Sequence, residues 1–369
     1  MSQENFSGPR PKAGIMEIAA YVPGKSGPKT GKTYKMSSNE QPLGASPAAL
    51  AAYETAGAKS LALYPNGSAL ALRQALGTLH GLDPDRIICG AGSDEILQLL
   101  AHAYLEPGDE AIYSQYGFLV YPIVIASNGA KAVVAPEPNR IADVGAILSR
   151  VTSKTKMVFL ANPNNPTGTY LPITEIRRLH AGLPAQVMLV LDGAYGEFVT
   201  ANDYDAGAAL VHDNSNVVMT RTFSKIYGLA GLRLGWGYGP KTVIDVLNRI
   251  RGPFNVSGPG IVVGVAAVED REFMARAIAH NSKWLQWMMD ELKKLGLGVT
   301  PSVANFVLVD FGSAERAAQA DQHLQSHGII VRAVSAYGLP SCLRISVGSE
   351  EGNQAAIAAL KEFCSGSNV

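Results

Sequence analysis

Residues 157–168 read MVFLANPNNPTG, a wholly apolar run that ends in a rigid loop of asparagines and prolines. The same pattern returns at residues 187–192, VMLVLD, where a carboxylate ends the run. Apolar runs of this length that alternate with amphipathic stretches are typical of βαβ units, whose parallel strands are buried on both faces. Ligands of such sheets bind at the carboxyl ends of the strands. The two polar ends therefore predict a ligand site.

The alternation continues from about residue 70 to residue 250, so we predict an α/β fold with a mostly parallel sheet. The predicted strands are Arg86–Cys89, Glu110–Tyr113, Lys131–Ala135, Met157–Ala161, Val187–Leu191 and Val217–Thr220. Ser46 and Pro47 predict a helix start. After residue 271 a long helix through Met274 and Leu292 leads into a predicted strand at Asn305–Val309, a helix at Ala314–His327, strands at Ile329–Arg332 and Leu343–Val347, and a final helix. We expect residues 1–45 to form an N-terminal arm and part of the small domain, residues 46–270 a large domain, and residues 271–369 the smaller α+β domain.

Composition limits the classes of partner. The 369 residues are 47% hydrophobic and only 17% charged, which indicates much buried surface or a subunit interface. Lys plus Arg and Asp plus Glu number 31 each, so no net charge draws the chain to nucleic acid or to an anionic membrane. Apolar stretches fall short of the ~20 residues that a membrane span needs. Three scattered cysteines, Cys89, Cys342 and Cys364, favour a reducing cytosol.

Two histidines stand at helical spacing. His323 and His327 would lie on one face of a helix, but no HExxH motif or neighbouring carboxylate cluster accompanies them. A solvated helix face is the better interpretation of that pair. We therefore predict no metal.

A glycine-rich turn follows the first predicted strand. Residues 87–95, IICGAGSDE, read as a strand, a turn and a helix start, which would direct free backbone N–H groups at one point and could bind a phosphate. An ordinary helix with Ser93 or Asp94 as N-cap explains the pattern equally well. A dinucleotide fingerprint fits poorly, because its third glycine would have to replace Glu95.

The carboxylate that ends the 187–192 run is costly to bury unless a cation or several donors meet it. Pyridoxal phosphate supplies such a cation as its protonated ring nitrogen, and an acidic partner keeps the ring an electron sink. Asp192 is therefore the candidate partner of the ring nitrogen, and Tyr195 a donor to the ring's phenolic oxygen. Asn165 would offer an amide hydrogen bond to a ligand oxygen. A simple turn cap remains the alternative for Asp192.

The segment at residues 220–235, TRTFSKIYGLAGLRLG, supplies the reactive lysine. A Schiff-base lysine needs a lowered pKa, which a dry site near other cations provides. Lys225 follows an apolar strand and meets that requirement. Thr222, Ser224 and Arg233 are the donors that a phosphate monoester needs. Taken alone, a Ser-Lys pair would be a solvated surface feature.

With these pieces in order, the chain resembles the fold-type-I pyridoxal-phosphate aminotransferases, and more narrowly the histidinol-phosphate aminotransferase family. The resemblance covers nearly the whole chain. Besides the segments quoted above, it rests on residues 21–24 (YVPG), 38–44 (SNEQPLG), 64–67 (YPNG), 328–332 (GIIVR) and 343–348 (LRISVG).

The resemblance implies a role for each matching position. Lys225 carries the cofactor, Asp192 pairs with its ring nitrogen, and Asn165 and Tyr195 bind its phenolic oxygen. The implied phosphate-binding residues are Gly92, Ser93, Asp94, Thr222, Ser224, Arg233 and, from a neighbouring subunit, Tyr64. Tyr116 would stack on the ring, although a core aromatic explains it nearly as well. The implied substrate residues are Arg344 for a carboxylate and Arg332, Tyr21 and Asn39 around the distal end; cross-strand surface charge is the alternative for both arginines.

The implied protein is a cytoplasmic homodimer that transfers the amino group of L-histidinol phosphate to 2-oxoglutarate in histidine biosynthesis. Two departures from the family pattern, at 333–336 (AVSA) and at Ser257, leave the donor open. An aromatic amino acid aminotransferase acting on phenylalanine or tyrosine, or an enzyme serving both donors, is the main alternative. A pyridoxal-phosphate-dependent decarboxylase of a phosphorylated amino acid and a non-enzymatic effector-binding domain are the other two.

Overall fold

A computed structural model describes residues 11–12, 14–22, 32–60 and 62–366, without the side chains of 57–60. Part of the expected N-terminal arm, including Pro23 and Gly24 of the YVPG segment, lies outside these ranges. The strands are β1 Tyr34–Lys35, β2 Ile87–Gly90, β3 Glu110–Ser114, β4 Lys131–Ala135, β5 Thr155–Ala161, β6 Met188–Asp192, β7 Val217–Thr222, β8 Gly235–Tyr238, β9 Gly298–Thr300, β10 Phe306–Asp310, β11 Ile329–Ile330, β12 Arg332–Ala333 and β13 Cys342–Ser346.

The helices flank these strands. They are α1 Pro47–Ser60, α2 Leu70–His80, α3 Ser93–Tyr104, α4 Val120–Ser127, α5 Val144–Leu148, α6 Ile173–Gly182, α7 Ala208–Asp213, α8 Lys241–Ile250, α9 Gly258–Glu269, α10 Arg271–Lys294, α11 Ala314–Ser326 and α12 Glu350–Gly366. The helix predicted to open at Ser46 and Pro47 is α1, with the Ser46 hydroxyl accepting from the Ala49 N–H at 3.1 Å.

The large sheet has seven strands in the order β2, β8, β7, β6, β5, β3, β4. Strands β7, β6, β5, β3 and β4 run parallel, whereas β8 runs antiparallel to both β7 and β2. All six strands predicted for this region are confirmed, with ends shifted by at most two residues. The sequence did not predict β8, because two glycines break the apolar run of its GWGY segment.

The unbroken apolar runs are explained by helices on both faces of the sheet. In β5, Val158 and Leu160 pack into one core cluster, while Met157 and Phe159 pack into another on the opposite face. Successive side chains of a strand point to opposite faces, so a strand covered on both sides has no polar position. Polar residues return only where the strand ends, at Asn162.

The C-terminal part forms a second, antiparallel sheet in the order β12, β13, β10, β9. The prediction of one strand over Ile329–Arg332 was wrong: β11 pairs in parallel with β1 of the N-terminal segment, and β12 pairs with β13. The neighbouring strand changes at Val331, from β1 to β13. This change depends on contacts with distant parts of the chain, so the local sequence pattern does not reveal it. The long helix expected through Met274 and Leu292 is confirmed as α10.

Helix α10 joins the two cores. Its first turns, with Phe273 and Ala277, pack against the large sheet, and Trp284 and Met288 pack in the C-terminal core. The domain boundaries expected near 45 and 270 stay a prediction. Within the described ranges, no helix combines the length and apolar character that crossing a membrane requires.

Candidate cofactor and substrate site

A cavity of about 220 Å³ opens at the carboxyl ends of β5, β6 and β7 and is closed on its other side by the C-terminal sheet. Most side chains that the sequence predicted for the site line this one cavity. They are Tyr21, Asn39, Ser93, Asp94, Asn165, Asp192, Tyr195, Thr222, Ser224, Lys225, Arg233, Arg332 and Arg344. Residues far apart in the chain therefore meet at the carboxyl ends of the parallel strands, as the sequence predicted.

Asp192 ends the central strand of the sheet and is only 4% exposed. Strand register sets it beside Ala161 of β5 and Thr220 of β7. Its carboxylate accepts hydrogen bonds from Tyr121 Oη at 2.9 Å and Thr220 Oγ1 at 3.2 Å. No described cation pairs with it. Burial raises the pKa of Asp192 to about 6, because uncharged donors offset the desolvation of a carboxylate only in part.

Lys225 follows β7 and enters the cavity from the same edge. Its Nζ donates to the Ser38 carbonyl at 2.9 Å and lies 5.7 Å from the centre of the Tyr195 ring. Burial, and then the Arg344 guanidinium, lower the pKa of Lys225 to about 7. An amine with this pKa is largely neutral just above pH 7, which is the form that attacks a carbonyl or accepts a proton.

Tyr195 is held so that its hydroxyl can donate into the cavity. Asn39 Nδ2 donates to Tyr195 Oη at 2.9 Å, which occupies an acceptor position and leaves the phenolic proton available. Asn39 is itself buried and fixed, since its N–H donates to Ser346 Oγ at 2.9 Å. Burial raises the pKa of the Tyr195 hydroxyl, so the group stays protonated and remains a donor.

The glycine-rich turn after β2 starts α3 without a side-chain cap. Gly92 occupies the N-cap position with φ +84°, so the alternative in which Ser93 or Asp94 caps the helix was wrong. The uncapped N–H groups at this end favour an anion. Arg233 reaches the same point, with guanidinium contacts of 3.3 Å to Ser224 Oγ and to Asp94 Oδ2. Thr222 Oγ1 accepts from the Ser224 N–H at 3.1 Å and shapes the opposite wall.

The two arginines of the C-terminal sheet face the cavity. Arg332 and Arg344 stand directly opposite each other on β12 and β13. Arg344 is 6% exposed and donates to the Ser37 carbonyl at 2.7 Å and to Asn165 Oδ1. Its Nε is buried with no hydrogen-bond partner among the described residues. Cross-strand surface charge therefore does not describe Arg344, and its free donor favours an anionic ligand.

Phe118 lines the cavity wall together with Tyr21 and Tyr195, whereas Tyr116 is not among the lining residues. Tyr116 packs against the small cluster that contains Leu308 and Tyr337. The Gly117 N–H closes a turn at this point by donating to the Ser114 carbonyl at 2.8 Å. The stacking role of Tyr116 stays a prediction, and Phe118, which lines the cavity, is a further candidate for it. Tyr64 also lies outside the wall, is 82% exposed and stacks on Phe254 at 4.4 Å between ring centres.

The two departures from the family pattern do not line the cavity. Ser257 is the N-cap of α9, where its Oγ accepts from the Gly260 N–H at 3.1 Å. Sequence reasoning also missed Tyr121 and Thr220, the donors to Asp192. Thr220 could have been found as a hydroxyl near the end of an apolar strand, whereas nothing in the pattern of α4 marks Tyr121.

The cavity fits pyridoxal phosphate on three independent grounds. It has a buried carboxylate without a cation, a buried amine with a lowered pKa, and an uncapped helix start beside an arginine. The family model of aminotransferase class I and II matches residues 32–360. A histidinol-phosphate aminotransferase of Rhodopseudomonas palustris is 55% identical over 97% of this chain and 99% of its own length. The chain belongs to the histidinol-phosphate aminotransferase family.

Solved structures agree with that membership. The histidinol-phosphate aminotransferase of Sinorhizobium meliloti, in complex with pyridoxal-5'-phosphate, is 28% identical, has a TM-score of 0.88 and covers 96% of this chain with 97% of its own. An aspartate aminotransferase of Thermus thermophilus with maleate, 21% identical with a TM-score of 0.80 over 90% of this chain and 91% of its own, shares the fold alone. The predicted fold type, cofactor and enzyme class, a pyridoxal-phosphate-dependent transaminase, are confirmed.

One glycine tests the phosphate cradle of this aminotransferase. A Cβ at Gly235 would stand 2.2 Å from the Ser93 backbone N and 2.4 Å from the Gly92 carbonyl carbon, so Gly235→Ala must displace the start of α3. Gly231→Ala is the matched control, because its Cβ would meet nothing within 4 Å. We expect Gly235→Ala to weaken cofactor affinity by about tenfold or more, the equivalent of one lost charge-assisted hydrogen bond.

The measurement is cofactor titration of the apoenzyme followed by absorbance, with circular dichroism to verify folding. Gly231→Ala should bind within about twofold of the unaltered enzyme. Equal affinity for both variants would show that the start of α3 does not hold the phosphate.

Proposed function

We propose that this enzyme transfers the amino group of L-histidinol phosphate to 2-oxoglutarate, forming imidazole acetol phosphate and L-glutamate, as a step of histidine biosynthesis in the cytoplasm. The observation that carries the proposal is the 55% identity, over nearly the whole of both chains, to a relative named for this activity. The three cysteines are free, as expected in a reducing compartment.

The charges of the cavity support these substrates. The donor carries a phosphate and no carboxylate, whereas the acceptor carries two carboxylates, and one site must serve both. Arg344 lies deep in the cavity with a free Nε, and Arg332 lies near the rim, held by a 2.7 Å hydrogen bond to the Val22 carbonyl. Guanidinium groups bind phosphate and carboxylate in the same fork geometry. Two of them at different depths suit either substrate.

When bound, pyridoxal phosphate supplies the carbonyl that exchanges amines and the ring that delocalises the negative charge of the substrate carbon. Asp192 would hold the ring nitrogen in its protonated form. Tyr195 and Asn165 would donate to the phenolic oxygen, and Phe118 would cover one face of the ring. The phosphate would be held by the start of α3 with Thr222, Ser224 and Arg233.

Lys225 has the properties of the proton carrier. Its pKa of about 7 leaves a large share of the free amine neutral near pH 7, so it can accept a proton from the substrate carbon and release it one step later. The hydrogen bond to the Ser38 carbonyl fixes where the amine waits. Ser38 precedes Asn39, which orients Tyr195, so one segment positions both the base and a phenolic donor.

A homodimer with shared sites is part of the proposal. Tyr64 cannot serve the cavity of its own chain, whose wall does not include it. It lines a surface groove between α1 and α9 together with Leu63 and Val262, and Leu50 and Tyr53 of α1 are further exposed large side chains. Clusters of exposed large apolar residues mark interaction surfaces. A second copy on this face would bring Tyr64 to the neighbouring cofactor phosphate.

The substrate assignment predicts a strong preference in kcat/KM. With 2-oxoglutarate as acceptor, histidinol phosphate should exceed phenylalanine and tyrosine by roughly 100-fold or more, because its phosphate offers the two guanidinium groups more negative charge and one more acceptor oxygen than the single carboxylate of those amino acids. Double-reciprocal plots should be parallel, as a single site shared in turn requires. Phenylalanine turnover equal to that of histidinol phosphate, or release of carbon dioxide without consumption of the 2-oxo acid, would contradict the assignment.

The shared site predicts complementation between two defective variants. Tyr64→Phe removes one phosphate donor and should weaken cofactor affinity by about 10- to 100-fold, and Lys225→Ala should be inactive. After subunit exchange at limiting cofactor, an equal mixture should regain about a quarter of the normal sites, since each mixed dimer then has one intact site.

Tyr53→Phe is the matched control, because Tyr53 is an exposed tyrosine of α1 and has no assigned role. It should bind cofactor normally. Full activity in a monomer, or no recovery in the mixture, would show that Tyr64 does not act across subunits.

A further inference from the structure

A second constellation of ligand-type side chains lies outside the cofactor cavity, on the C-terminal part of the chain. His323 stands on the last turn of α11, His327 directly follows that helix, and Glu362 reaches both from the last turns of α12. One ligand atom from each of the three lies within 4.8 Å of the other two. The local sequence shows no carboxylate cluster beside the two histidines, but the packing of α12 on α11 brings Glu362 close to them.

The tautomer of His327 is set for coordination. Its Nδ1 lies 2.9 Å from the His323 carbonyl oxygen, and only a protonated Nδ1 can donate there. In a neutral ring this leaves the lone pair on Nε2. Histidines that bind metals commonly donate their other ring N–H to a backbone carbonyl in this way, which fixes both the tautomer and the ring orientation.

The Nε2 of His327 lies near the Glu362 carboxylate, at a separation that suits two ligands of one metal ion. Glu362 Oε2 is 3.4 Å away, longer than an ordinary N–H···O hydrogen bond. Zinc lies about 2.0–2.1 Å from imidazole nitrogen and carboxylate oxygen, so neighbouring ligand atoms of a tetrahedral site are about 3.3–3.4 Å apart. The observed separation therefore equals one edge of a zinc tetrahedron.

His323 supplies the third ligand. Its Nε2 is buried and has no hydrogen-bond partner in the part of the chain that the structure describes. The ring lies 4.5 Å from that of His327 and 5.7 Å from that of Phe363, measured between centres. A buried ring nitrogen without a partner is unfavourable unless a proton donor, a water molecule or a cation meets it.

The surrounding backbone favours a positive ion and holds the ligands in place. Helix α11 ends at Ser326 and α12 ends at Gly366, so the carbonyl ends of both helix dipoles lie near the three side chains. The backbone directly after His327 is held in place, because the Gly328 carbonyl accepts a hydrogen bond from the Tyr34 N–H at 2.8 Å. A site whose ligands are already positioned loses little entropy on binding.

We propose that His323, His327 and Glu362 bind a divalent zinc ion, with the fourth position of the tetrahedron taken by water. Two imidazoles and one carboxylate suit zinc, whereas magnesium and calcium prefer oxygen ligands alone. The ion joins the end of α11 to the end of α12 and stabilises the C-terminal part of the enzyme. It revises the prediction that the chain binds no metal.

The experiment uses the cofactor-loaded enzyme, freed of metal with a chelator and then dialysed against zinc. Elemental analysis should find one zinc per chain, and zinc should raise the melting temperature of the enzyme. His323→Ala and Glu362→Gln should each weaken zinc binding by more than roughly 100-fold, since even outer-shell partners of a metal are worth 10- to 100-fold. Their melting temperatures should no longer respond to zinc.

The variants also separate the zinc site from an ordinary ion pair. His323→Ala leaves the contact between His327 and Glu362 intact. If these two side chains formed only an ion pair, zinc would not alter the melting temperature of the unaltered enzyme or of this variant. His212→Ala, an exposed histidine on α7, and Cys364→Ser, a half-buried thiol close to Glu362 in sequence, are the matched controls and should bind zinc normally. Absence of bound zinc in the unaltered enzyme, loss of binding in Cys364→Ser, or unchanged binding in His323→Ala would overturn the proposal.

Discussion

The site depends on the burial of one carboxylate. Asp192 ends the central strand of a sheet that is covered on both faces, and its described contacts are uncharged donors, Tyr121 and Thr220 foremost. Desolvating a carboxylate without a cation is costly, and the pKa of about 6 reflects that cost. The protonated ring nitrogen of pyridoxal phosphate would remove that cost. On this account, the site depends on a positive charge that the cofactor supplies.

The positions of Thr220 and Lys225 follow from the same arrangement of parallel strands. Strand register puts Thr220 beside Asp192, so the segment that follows β7 must carry Lys225 into the cavity. The pKa of Lys225 shifts in the opposite direction to that of Asp192, since burial and the Arg344 guanidinium disfavour the charged form of the amine and lower its pKa. A carboxylate that retains its charge only with a cation, and an amine that loses its charge near neutral pH, together define a site for proton transfer at the cofactor.

The sequence predicted what local pattern can encode. Apolar runs gave the parallel strands, and the polar residues at their ends gave Asp192, Asn165 and Lys225. It could not predict features that depend on tertiary contacts. Strand β8 carries glycines because other backbone approaches closely, as at Gly235. Tyr121 reaches Asp192 from a helix far along the chain. Phe118 rather than Tyr116 lines the cavity where the backbone turns between them, and Glu362 reaches His323 and His327 only through helix packing.

The central claim is that Asp192 keeps the cofactor's ring nitrogen protonated, and the most direct measurement is the ¹⁵N chemical shift of that nitrogen in enzyme loaded with ¹⁵N-labelled pyridoxal phosphate. At neutral pH we expect the shift of a protonated pyridinium in the unaltered enzyme and that of a neutral pyridine in Asp192→Asn, whose amide cannot supply the balancing charge. An unprotonated nitrogen in the unaltered enzyme, or a protonated one in Asp192→Asn, would contradict the account.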